Sequence, residues 1–503
     1  MFLTDMSQQK ELFAFSHQEL LPKDCDVWRF IQLFDSFDYV DFERAYSKKG
    51  QKAIEPRLML RTIFYGFIKG IFSGRKLQDA CRYDNRFIVL IGLQRPDRRT
   101  LDRFVSRHQS AISKFFSQVV ETAISLNLVD FKDIAVDGSK FKAPVNDAVI
   151  FGNIDSTLKS ELRKLEELSS KASISSNCSN IVKKISAKKS RIRAISTLKD
   201  ETINDFESKV IKKGKKSQRI PKSRRALYDK DALSLSTKRG FMLGYNAQAA
   251  VDKKHQIVVA GHIHSKSTDY GALEKLLDDI DLLSHERNYR ILADRGYRSI
   301  KNFSLLAQRG IESVIPVANS NTDPNQSECN EQIHKNPSSD RSYDCIEGKP
   351  LDLMTRTKAG KLIFRGNNNM CSQCDETKCL LKGKKRFEVY DDEPRSIYLM
   401  QLNKHRSKAF DKIYGQRKAI VEPVFANIKN KGLRITRRGI NKVQTWWKLM
   451  ITAHNIEKIL NQRFRNCSYF LTIYSVFSRE CTPGSILMPY GMKTQPIPDL
   501  IQR

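Results

Sequence analysis

Two short apolar runs, each leading into an aspartate, constrain the fold more than any other feature of the chain. The runs KDIAVDG and RILADRG carry Asp137 and Asp294, each with a glycine at or near the turn that follows. Apolar runs of this length that end in a turn signal are typical of buried β-strands. We therefore expect both aspartates at strand ends, where a rigid backbone holds a carboxylate in a fixed position.

A third acidic residue, Glu422, lies in the segment RKAIVEPVFANIK, which has the pattern of a helix. Because Pro423 follows it directly, we expect a helix to start or kink there. Two strand-end aspartates and a helical glutamate suit a two-metal site for phosphodiester chemistry. A single Asp-Gly after a strand is usually only a turn, so this prediction rests on all three acidic residues occurring in this order.

The net charge points to a polyanionic partner. Lys and Arg total 88 of the 503 residues against 56 acidic residues, which gives a formal net charge of +32. Nucleic acid is the usual partner of so basic a chain. The longest apolar stretches, such as YFLTIYSVF, are too short to span a bilayer, and the first residues lack a signal-peptide pattern. We expect a soluble, cytoplasmic protein with no membrane partner.

The order of apolar patterns predicts an α/β fold. After the first strand, GFMLGYNAQAAVD and HQIVVAGHIHS read as a hairpin that turns near Lys253 and Lys254, and DYGALEKLLDDIDLL reads as an amphipathic helix. The strand RILAD, a further helix and the strand IESVIPVA follow. The order of strand, hairpin, helix, strand, helix, strand fits an RNase H-like core, with Asp137 on its first strand and Asp294 on its fourth.

The N-terminal region, residues 1–125, is predicted to be an all-α, DNA-binding domain. Thr100 is placed to cap a helix that continues past His108, with Arg103 and Arg107 on its basic side. Such a side can read DNA or can simply be solvated, and both interpretations stay open.

The remaining boundaries follow from shifts in composition. A basic insert at 156–235 is expected to be helical from Leu158 to Leu168, to form a long hairpin, and then to become flexible, which suits non-specific contact with phosphates. The predicted segments are the first part of the core at 126–320, a polar, cysteine-bearing insertion at 321–402, the final core helices at 403–465 and a tail at 466–503.

Cysteines cluster in the predicted insertion. Cys371 and Cys374 have the spacing of two ligands of a tetrahedral zinc site, which Cys379 and Cys345 (or His334) could complete. The chain has no second CxxC pair in this region. Structural zinc and reduced, unligated thiols therefore both stay open.

Several of these segments resemble one known family. DGSKFKA, ADRGY and VEPVFANIK look like the active-site segments of the DDE transposases of bacterial insertion sequences. The helical stretch PRLMLRTIFYGFIKGIFSGRKLQDACRYDNRFIVLIGL, the strand GYNAQAAVD and the cysteine-bearing insertion are also similar, so the resemblance spans roughly residues 50 to 460.

The resemblance implies an RNase H-like fold and a DNA transposase. It implies that Asp137, Asp294 and Glu422 are the catalytic residues and bind two Mg²⁺ (or Mn²⁺) ions. The implied reaction is strand cleavage and strand transfer at the terminal inverted repeats of a mobile element. The implied partner is double-stranded DNA, at the element ends and at the target, bound in the nucleoid by a homo-oligomer.

The resemblance also bears on the helix around Glu422. In this family a Tyr, an Arg, the Glu and a Lys often follow one another with gaps of two, three and six residues. Glu422 and Lys429 have the expected gap of six, and Lys418 occupies the arginine position. Tyr414 and Arg417 each lie one residue too early. We expect Arg417, Lys418 and Lys429 to contact DNA.

Two other classes of function stay open. One is an RNase H-like, metal-dependent nuclease that cuts without joining, which a strand-transfer assay would separate from a transposase. The other is a non-catalytic, DNA-binding descendant of a transposase. The three intact acidic residues argue against the second class, since such a protein has no need of all three.

Overall fold

A computed structural model of the chain describes much of residues 19–463, with gaps. The described residues are 19, 21–46, 53–145, 148–150, 153–174, 178–213, 224–238, 240–284, 288–317, 334–335, 343–345, 347–356, 361–366, 368–372, 386–390, 401, 408–432 and 435–463. Residues Met1–Ile459 cluster as one compact unit and Leu460–Arg503 as a second. The predicted tail at 466–503 lies outside the described residues.

Helices and strands are numbered in chain order. The α-helices are α1 Asp26–Asp35, α2 Val40–Glu43, α3 Pro56–Ile68, α4 Gly74–Tyr83, α5 Asn85–Leu90, α6 Arg98–Arg107, α7 Gln109–Ser125, α8 Ile154–Ile174, α9 Cys178–Lys213, α10 Leu273–Asp281, α11 Ile300–Gln308, α12 Asn368–Ser372, α13 Lys408–Asn430 and α14 Ile440–Arg463. The strands are β1 Asp133–Lys142, β2 Ala148–Ile150, β3 Arg224–Ala226, β4 Leu233–Thr237, β5 Gly240–Asp252, β6 Val258–His264, β7 Arg290–Ala293, β8 Glu312–Val314, β9 His334–Lys335, β10 Tyr343–Asp344, β11 Leu351–Arg356, β12 Lys361–Gly366 and β13 Arg386–Tyr390.

Helices α1 to α7 precede the first strand, and aromatic rings fill the core between them. Phe64 lies between Phe34 and Phe115, with ring centroids 5.9 and 5.4 Å away, and all three side chains are buried. Aromatic pairs at this separation add to the stabilisation that comes from burying their large apolar surfaces. Helices α3 to α7 occupy most of residues 56–125.

The predicted long helix capped by Thr100 is wrong in two respects. Asp97 is the N-cap of α6, because its side chain accepts a 2.7 Å hydrogen bond from the Thr100 amide. The helix ends at Arg107, and α7 begins after His108. This histidine is buried, and its Nε2 lies 3.1 Å from the Tyr46 hydroxyl. Asp97 precedes Thr100 by three residues, which is the spacing at which a capping side chain reaches the third helical amide.

The main sheet is mixed and centred on the long strand β5. One edge of β5 pairs with β1, and its other edge pairs first with β4 and then with β6, all antiparallel. On the far side of β1, strands β7 and β8 are added in parallel. The fold is therefore α/β, and the predicted order of strand, hairpin, helix, strand, helix, strand is confirmed in β1, β5–β6, α10, β7, α11 and β8.

Strand β1 does not end at Asp137, which corrects the sequence-based expectation. Its parallel pairing with β7 stops at Val136, but its antiparallel pairing with β5 continues to Lys142. Gly138 is therefore a strand residue and not a turn. A Cβ atom there would lie 2.4 Å from the Gln248 amide nitrogen, so a side chain at this position would displace the Gln248 amide.

Helix α14 packs closely against β5 and β6. The Trp447 indole donates a 3.0 Å hydrogen bond to the Gln248 backbone carbonyl. A Cβ atom on Gly261 would lie 3.0 Å from Ile451 and 3.1 Å from the Trp447 nitrogen, so the glycine permits the close approach. Trp446 and Trp447 are both buried and pack in this interface.

Pro423 does not start or end a helix, because α13 continues through it from Lys408 to Asn430. A proline has no amide hydrogen, so the carbonyl four residues earlier, that of Ala419, loses its helical donor. The Gln256 side chain supplies a substitute and donates a 3.0 Å hydrogen bond to the Ala419 carbonyl. This tertiary hydrogen bond replaces the helical one that the proline removes, so the helix continues through Pro423. The local sequence around Pro423 gave no sign of this contact.

The basic insert contains two long helices, α8 and α9. The prediction that its helix would end near Leu168 and be followed by a flexible segment is therefore wrong for the residues up to Lys213, where α9 ends. Ile195 and Leu198 of α9 pack with Ile154 at the start of α8 in a small core. Glu161 of α8 accepts a 2.8 Å hydrogen bond from Lys188 of α9. Apolar residues at helical spacing explain why α8 and α9 form an ordered pair of helices. The sequence analysis overlooked this spacing because the insert is so rich in basic residues.

The cysteine-bearing region is described only in part. Strands β11, β12 and β13 form a separate antiparallel sheet. In the described part of the chain, no helix is long and apolar enough to cross a membrane.

The contact between Asn455 and β6 gives a test of the fold. Asn455 of α14 is fully buried and makes two 2.8 Å hydrogen bonds to Val258, accepting from its amide and donating to its carbonyl. Asn455→Ala leaves both backbone groups buried without a partner, which should cost about 2–4 kcal/mol of unfolding free energy. Urea denaturation measures this loss. The exposed Asn441→Ala on the same helix is the matched control and should change stability by no more than ~0.5 kcal/mol.

Candidate functional site

The parallel pairing of β1 and β7 places Asp137 and Asp294 side by side. Val136 pairs with Ala293 in this register, and each aspartate is the next residue. Neighbouring strands lie about 4.8 Å apart, so the two carboxylates arise from adjacent points of one sheet. Asp294 raises the pKa of Asp137, in addition to the effect of burial. The two carboxylates therefore belong to one site.

Backbone amides hold one oxygen of each aspartate. Asp137 Oδ1 accepts a 2.8 Å hydrogen bond from the Gly138 amide. Asp294 Oδ1 accepts a 2.6 Å bond from the Gly296 amide and thereby caps the short 3-10 helix Arg295–Tyr297. These bonds limit the rotation of both carboxylates and leave the second oxygen of each for another partner.

Arg417 of α13 takes the second oxygen of Asp137. Its Nη1 lies 3.0 Å from Asp137 Oδ2, and both side chains are largely buried. Burial raises the pKa of Asp137, Arg417 opposes this rise through its positive charge, and the pKa remains above its usual value. Burial also acts to lower the pKa of Arg417, but the charge of Asp137, its hydrogen bond and the charges of Tyr414 and Asp294 together outweigh burial, and the pKa is raised. Arg417 was predicted to contact DNA, but its guanidinium binds a carboxylate in this structure.

Glu422 is not joined to the two aspartates. It is exposed on α13, five residues after Arg417, and has no ion pair or hydrogen bond among the described residues. Lys429 lies further along the same helix with its ammonium 5.4 Å from the centre of the Phe141 ring of β1. Desolvation lowers the pKa of Lys429 and the charge of Asp137 opposes this, so Lys429 lies within electrostatic range of Asp137. Lys418 is exposed.

A polar network that the sequence analysis missed adjoins the aspartates. Asn246 and Gln248 alternate along the otherwise apolar strand β5 and are buried, and both donate hydrogen bonds to Asp269, of 3.0 and 2.7 Å. The buried Tyr297 hydroxyl donates to the side-chain carbonyl oxygen of Gln248. Burial, then the charges of Asp269, Asp137 and Asp294, raise the pKa of Tyr297 well above its usual value. Two amides at alternate positions of a buried strand were the signal available in the sequence.

The aspartate pair provides the donor atoms that a hard divalent cation prefers. Mg²⁺ binds carboxylate oxygens and usually takes few ligands from the protein. Within the described ranges, no three His, Cys, Asp or Glu side chains are grouped closely enough to hold a metal ion. Asp137 and Asp294 thus fit such an ion by their chemistry, while Glu422 is not grouped with them.

The other predicted site residues lie elsewhere. Arg103 is exposed on α6, and the Arg107 guanidinium stacks 4.9 Å from the Tyr46 ring and donates to the Ala45 carbonyl. Of the predicted zinc ligands, Cys345 and Cys371 are described, whereas Cys374 and Cys379 lie outside the described residues. Structural zinc therefore stays a prediction.

Comparison with known proteins gives two matches along the chain. Residues 198–456, just over half of the chain, match the model of the transposase DDE domain. Residues 15–107 match the model of a transposase domain (DUF772). The first match contains Asp294, Asp269 and Glu422 and begins after Asp137. No curated protein and no solved structure matches.

The ion pair between Arg417 and Asp137 gives a test of the electrostatics of the site. Arg417→Gln removes the positive charge that opposes burial, so the pKa of Asp137 should rise further above its usual value. Carboxyl ¹³C NMR of protein labelled at aspartate measures the titration. Lys418→Gln, on the adjacent exposed residue, is the control and should leave the titration of Asp137 unchanged. An unchanged titration in Arg417→Gln would contradict the assigned role of the ion pair.

Proposed function

The chain belongs to the family of DDE transposases, and on that premise we propose that it cuts DNA at the terminal inverted repeats of an insertion sequence and joins the ends to a target. The observation that carries the proposal is the pairing of Asp137 with Asp294 on adjacent parallel strands, inside a chain of this family. The net charge of +32 supports double-stranded DNA as the partner. We also propose that the protein acts as a homo-oligomer on DNA in the nucleoid.

The proposed core is RNase H-like. Its support is the strand order β6, β5, β1, β7, β8, in which three antiparallel strands are extended by two parallel ones. In this proposal the helices before residue 125 contribute to DNA binding, and the final helices at 403–465 carry Glu422 to the core. The described helices α13 and α14 contact or bond to strands of the sheet, which is consistent with that role.

Asp137, Asp294 and Glu422 are the proposed ligands of Mg²⁺ or Mn²⁺. When bound, such ions activate the attacking water or 3′-hydroxyl and stabilise the leaving oxygen. The sheet holds the two aspartates at fixed positions, and the Gly138 and Gly296 amides orient them. We expect Glu422 to approach the pair when DNA binds, because no described partner fixes its side chain elsewhere.

Arg417 and Lys429 have distinct proposed roles. Arg417 neutralises Asp137 in the free protein, so the buried carboxylate is not left without a counter-charge. Lys429, close to Asp137 and over Phe141, is placed to bind a phosphate beside the site. Lys418, exposed on the same helix, would add a second phosphate contact.

Cleavage of DNA carrying the element ends tests the proposal. Asp137→Asn and Asp294→Asn should each lower the rate of Mg²⁺-dependent cleavage by at least about a hundredfold. Loss of a residue that only orients a metal ligand lowers metal affinity or activity by about 10–100-fold, and a direct ligand should matter at least as much. DNA affinity should stay within about threefold, because both substitutions leave every basic residue of the chain in place. Cleaved and joined products are separated on gels, which also distinguishes a transposase from a nuclease that only cuts.

The matched control is Asp278→Asn, an exposed aspartate of α10 in an ion pair with Arg309. Its cleavage rate should equal that of the native protein. Full activity in Asp294→Asn would overturn the proposal, and cleavage without any joined product would favour the nuclease.

The α8–α9 hairpin is the proposed site of non-specific phosphate contact. Lys189 and Arg193 are exposed one helical turn apart on α9 and make no ion pair among the described residues, whereas the nearby Lys188 and Arg191 are paired with Glu161. Residues four apart lie on the same helical face, so both cations could follow one DNA backbone.

Replacing these two cations tests that role of the hairpin. The double variant Lys189→Gln, Arg193→Gln should bind DNA of any sequence more weakly, and the slope of log affinity against log salt should fall by roughly 0.9 for each phosphate that the protein no longer neutralises. Fluorescence anisotropy at several salt concentrations measures both. Lys301→Gln, an exposed lysine paired with Glu274 on another helix, should leave the slope unchanged. An unaltered slope in the double variant would exclude the hairpin from the interface.

A further inference from the structure

Asp269, in the loop between β6 and α10, touches the two backbone segments that carry the catalytic aspartates. A Cβ atom on Gly138 would lie 2.6 Å from Asp269 Oδ1, and a Cβ atom on Gly296 would lie 3.1 Å from Asp269 Oδ2. In proteins, Cβ atoms essentially never lie within 3.0 Å of a non-bonded heavy atom, and distances of 3.0–3.4 Å are unusually short. One oxygen of this carboxylate therefore packs on the residue after Asp137, and the other packs near the residue two beyond Asp294.

The position of Asp269 is also fixed by strand β5. Both Asn246 and Gln248 donate to its Oδ1, and both amides are almost fully buried. Gln248 is held in turn, because its side-chain carbonyl oxygen accepts from the buried Tyr297 hydroxyl. The Asp269 backbone carbonyl accepts a 3.1 Å hydrogen bond from the Ala272 amide, which fixes the loop backbone. The carboxylate is thus a rigid part of the site.

Two glycines make this arrangement possible. A methyl group on Gly138 would also lie 2.4 Å from Gln248 Nε2, so any side chain there would displace the amide that holds Asp269. The Asp269 carboxylate can therefore pack here only because Gly138 and Gly296 have no side chains. The backbone of each catalytic segment can move toward Asp269 only by displacing its carboxylate.

We propose that Asp269 is a positioning residue that sets the separation of Asp137 and Asp294 and thereby the affinity of the pair for a divalent cation. The inference rests on the proposed function and extends it, since none of the three acidic residues of that proposal explains the network on β5. Asp269 acts through hydrogen bonds and packing against Gly138 and Gly296. It needs no direct bond to the cation.

Two substitutions separate packing from charge. Asp269→Ala removes both oxygens and should weaken Mn²⁺ binding by about tenfold or more, the usual effect of losing a residue that orients metal ligands. Asp269→Asn keeps the shape and the oxygen that accepts from Asn246 and Gln248, so it should stay within about threefold of the native affinity. Electron paramagnetic resonance of free Mn²⁺, titrated into the full-length protein without DNA, measures the affinity independently of activity.

A third substitution covers the case in which Asp269→Ala does not fold. Gly138→Ala introduces a methyl group against Asp269 and Gln248 and should also weaken Mn²⁺ binding by about tenfold. The matched control is Asp229→Asn, because Asp229 is a buried carboxylate that accepts a 2.7 Å hydrogen bond from the neighbouring β5 residue Tyr245. It should lower thermal stability without changing Mn²⁺ affinity, which shows the effect of a purely structural carboxylate.

The outcomes separate this inference from the proposed function. Asp294→Asn, measured in the same titration, should weaken Mn²⁺ binding; if it does not, the proposed metal site is wrong and the inference falls with it. If Asp294→Asn weakens binding while Asp269→Ala and Gly138→Ala do not, only the inference is overturned. If Asp269→Asn loses as much affinity as Asp269→Ala, the negative charge of Asp269 matters and positioning is not its role.

Discussion

The hydrogen bonding of β1 along both of its edges is the constraint on which the rest of the site depends. Its antiparallel pairing with β5 and its parallel pairing with β7 fix the strand on both sides. Through β7 it aligns Asp137 with Asp294, and through β5 it brings the Asn246 and Gln248 amides to the same place. A slip of one residue in either register would turn these side chains to the opposite face of the sheet.

Carboxylates outnumber cations at this end of the sheet. Burial raises the pKa of Tyr297 most, the charges of Asp269, Asp137 and Asp294 raise it further, and Arg417 lowers it. Only Asp137 forms an ion pair with Arg417 among the described residues. The excess negative charge favours a cation, and it would repel a phosphate unless a cation or a lysine such as Lys429 intervened. The same electrostatics therefore support both the proposed metal site and the need for basic residues around it.

The sequence was most informative where a local pattern determines the structure. Apolar runs before Asp137 and Asp294 identified two buried strands, and the order of patterns identified an α/β fold, because a buried parallel strand has a distinctive composition. Arg417 was expected to contact DNA, and its ion pair with Asp137 was not foreseen. The spacing of residues along a helix does not reveal which residue of a distant strand a side chain will face. Asp269 lies in the polar loop SKSTDYG, where an aspartate is unremarkable until Gly138, Gly296 and β5 surround it. Glu422 was identified by its neighbours in sequence, and the structure leaves it exposed on α13 with no bond to either aspartate among the described residues.

Pro423 links the helix of Glu422 to the turn between β5 and β6. The Gln256 side chain bonds the carbonyl that the proline leaves without a helical donor, and Gln256 itself has a left-handed backbone conformation, with φ of 59°. The neighbouring Lys253 bonds both Gln416 of α13 and Asp133 of β1. In a relative of this chain with a residue other than proline at position 423, the amide of that residue would bond the carbonyl at position 419, and the glutamine would no longer be needed. Positions 256 and 423 should therefore vary together in evolution, although 167 residues separate them in the chain.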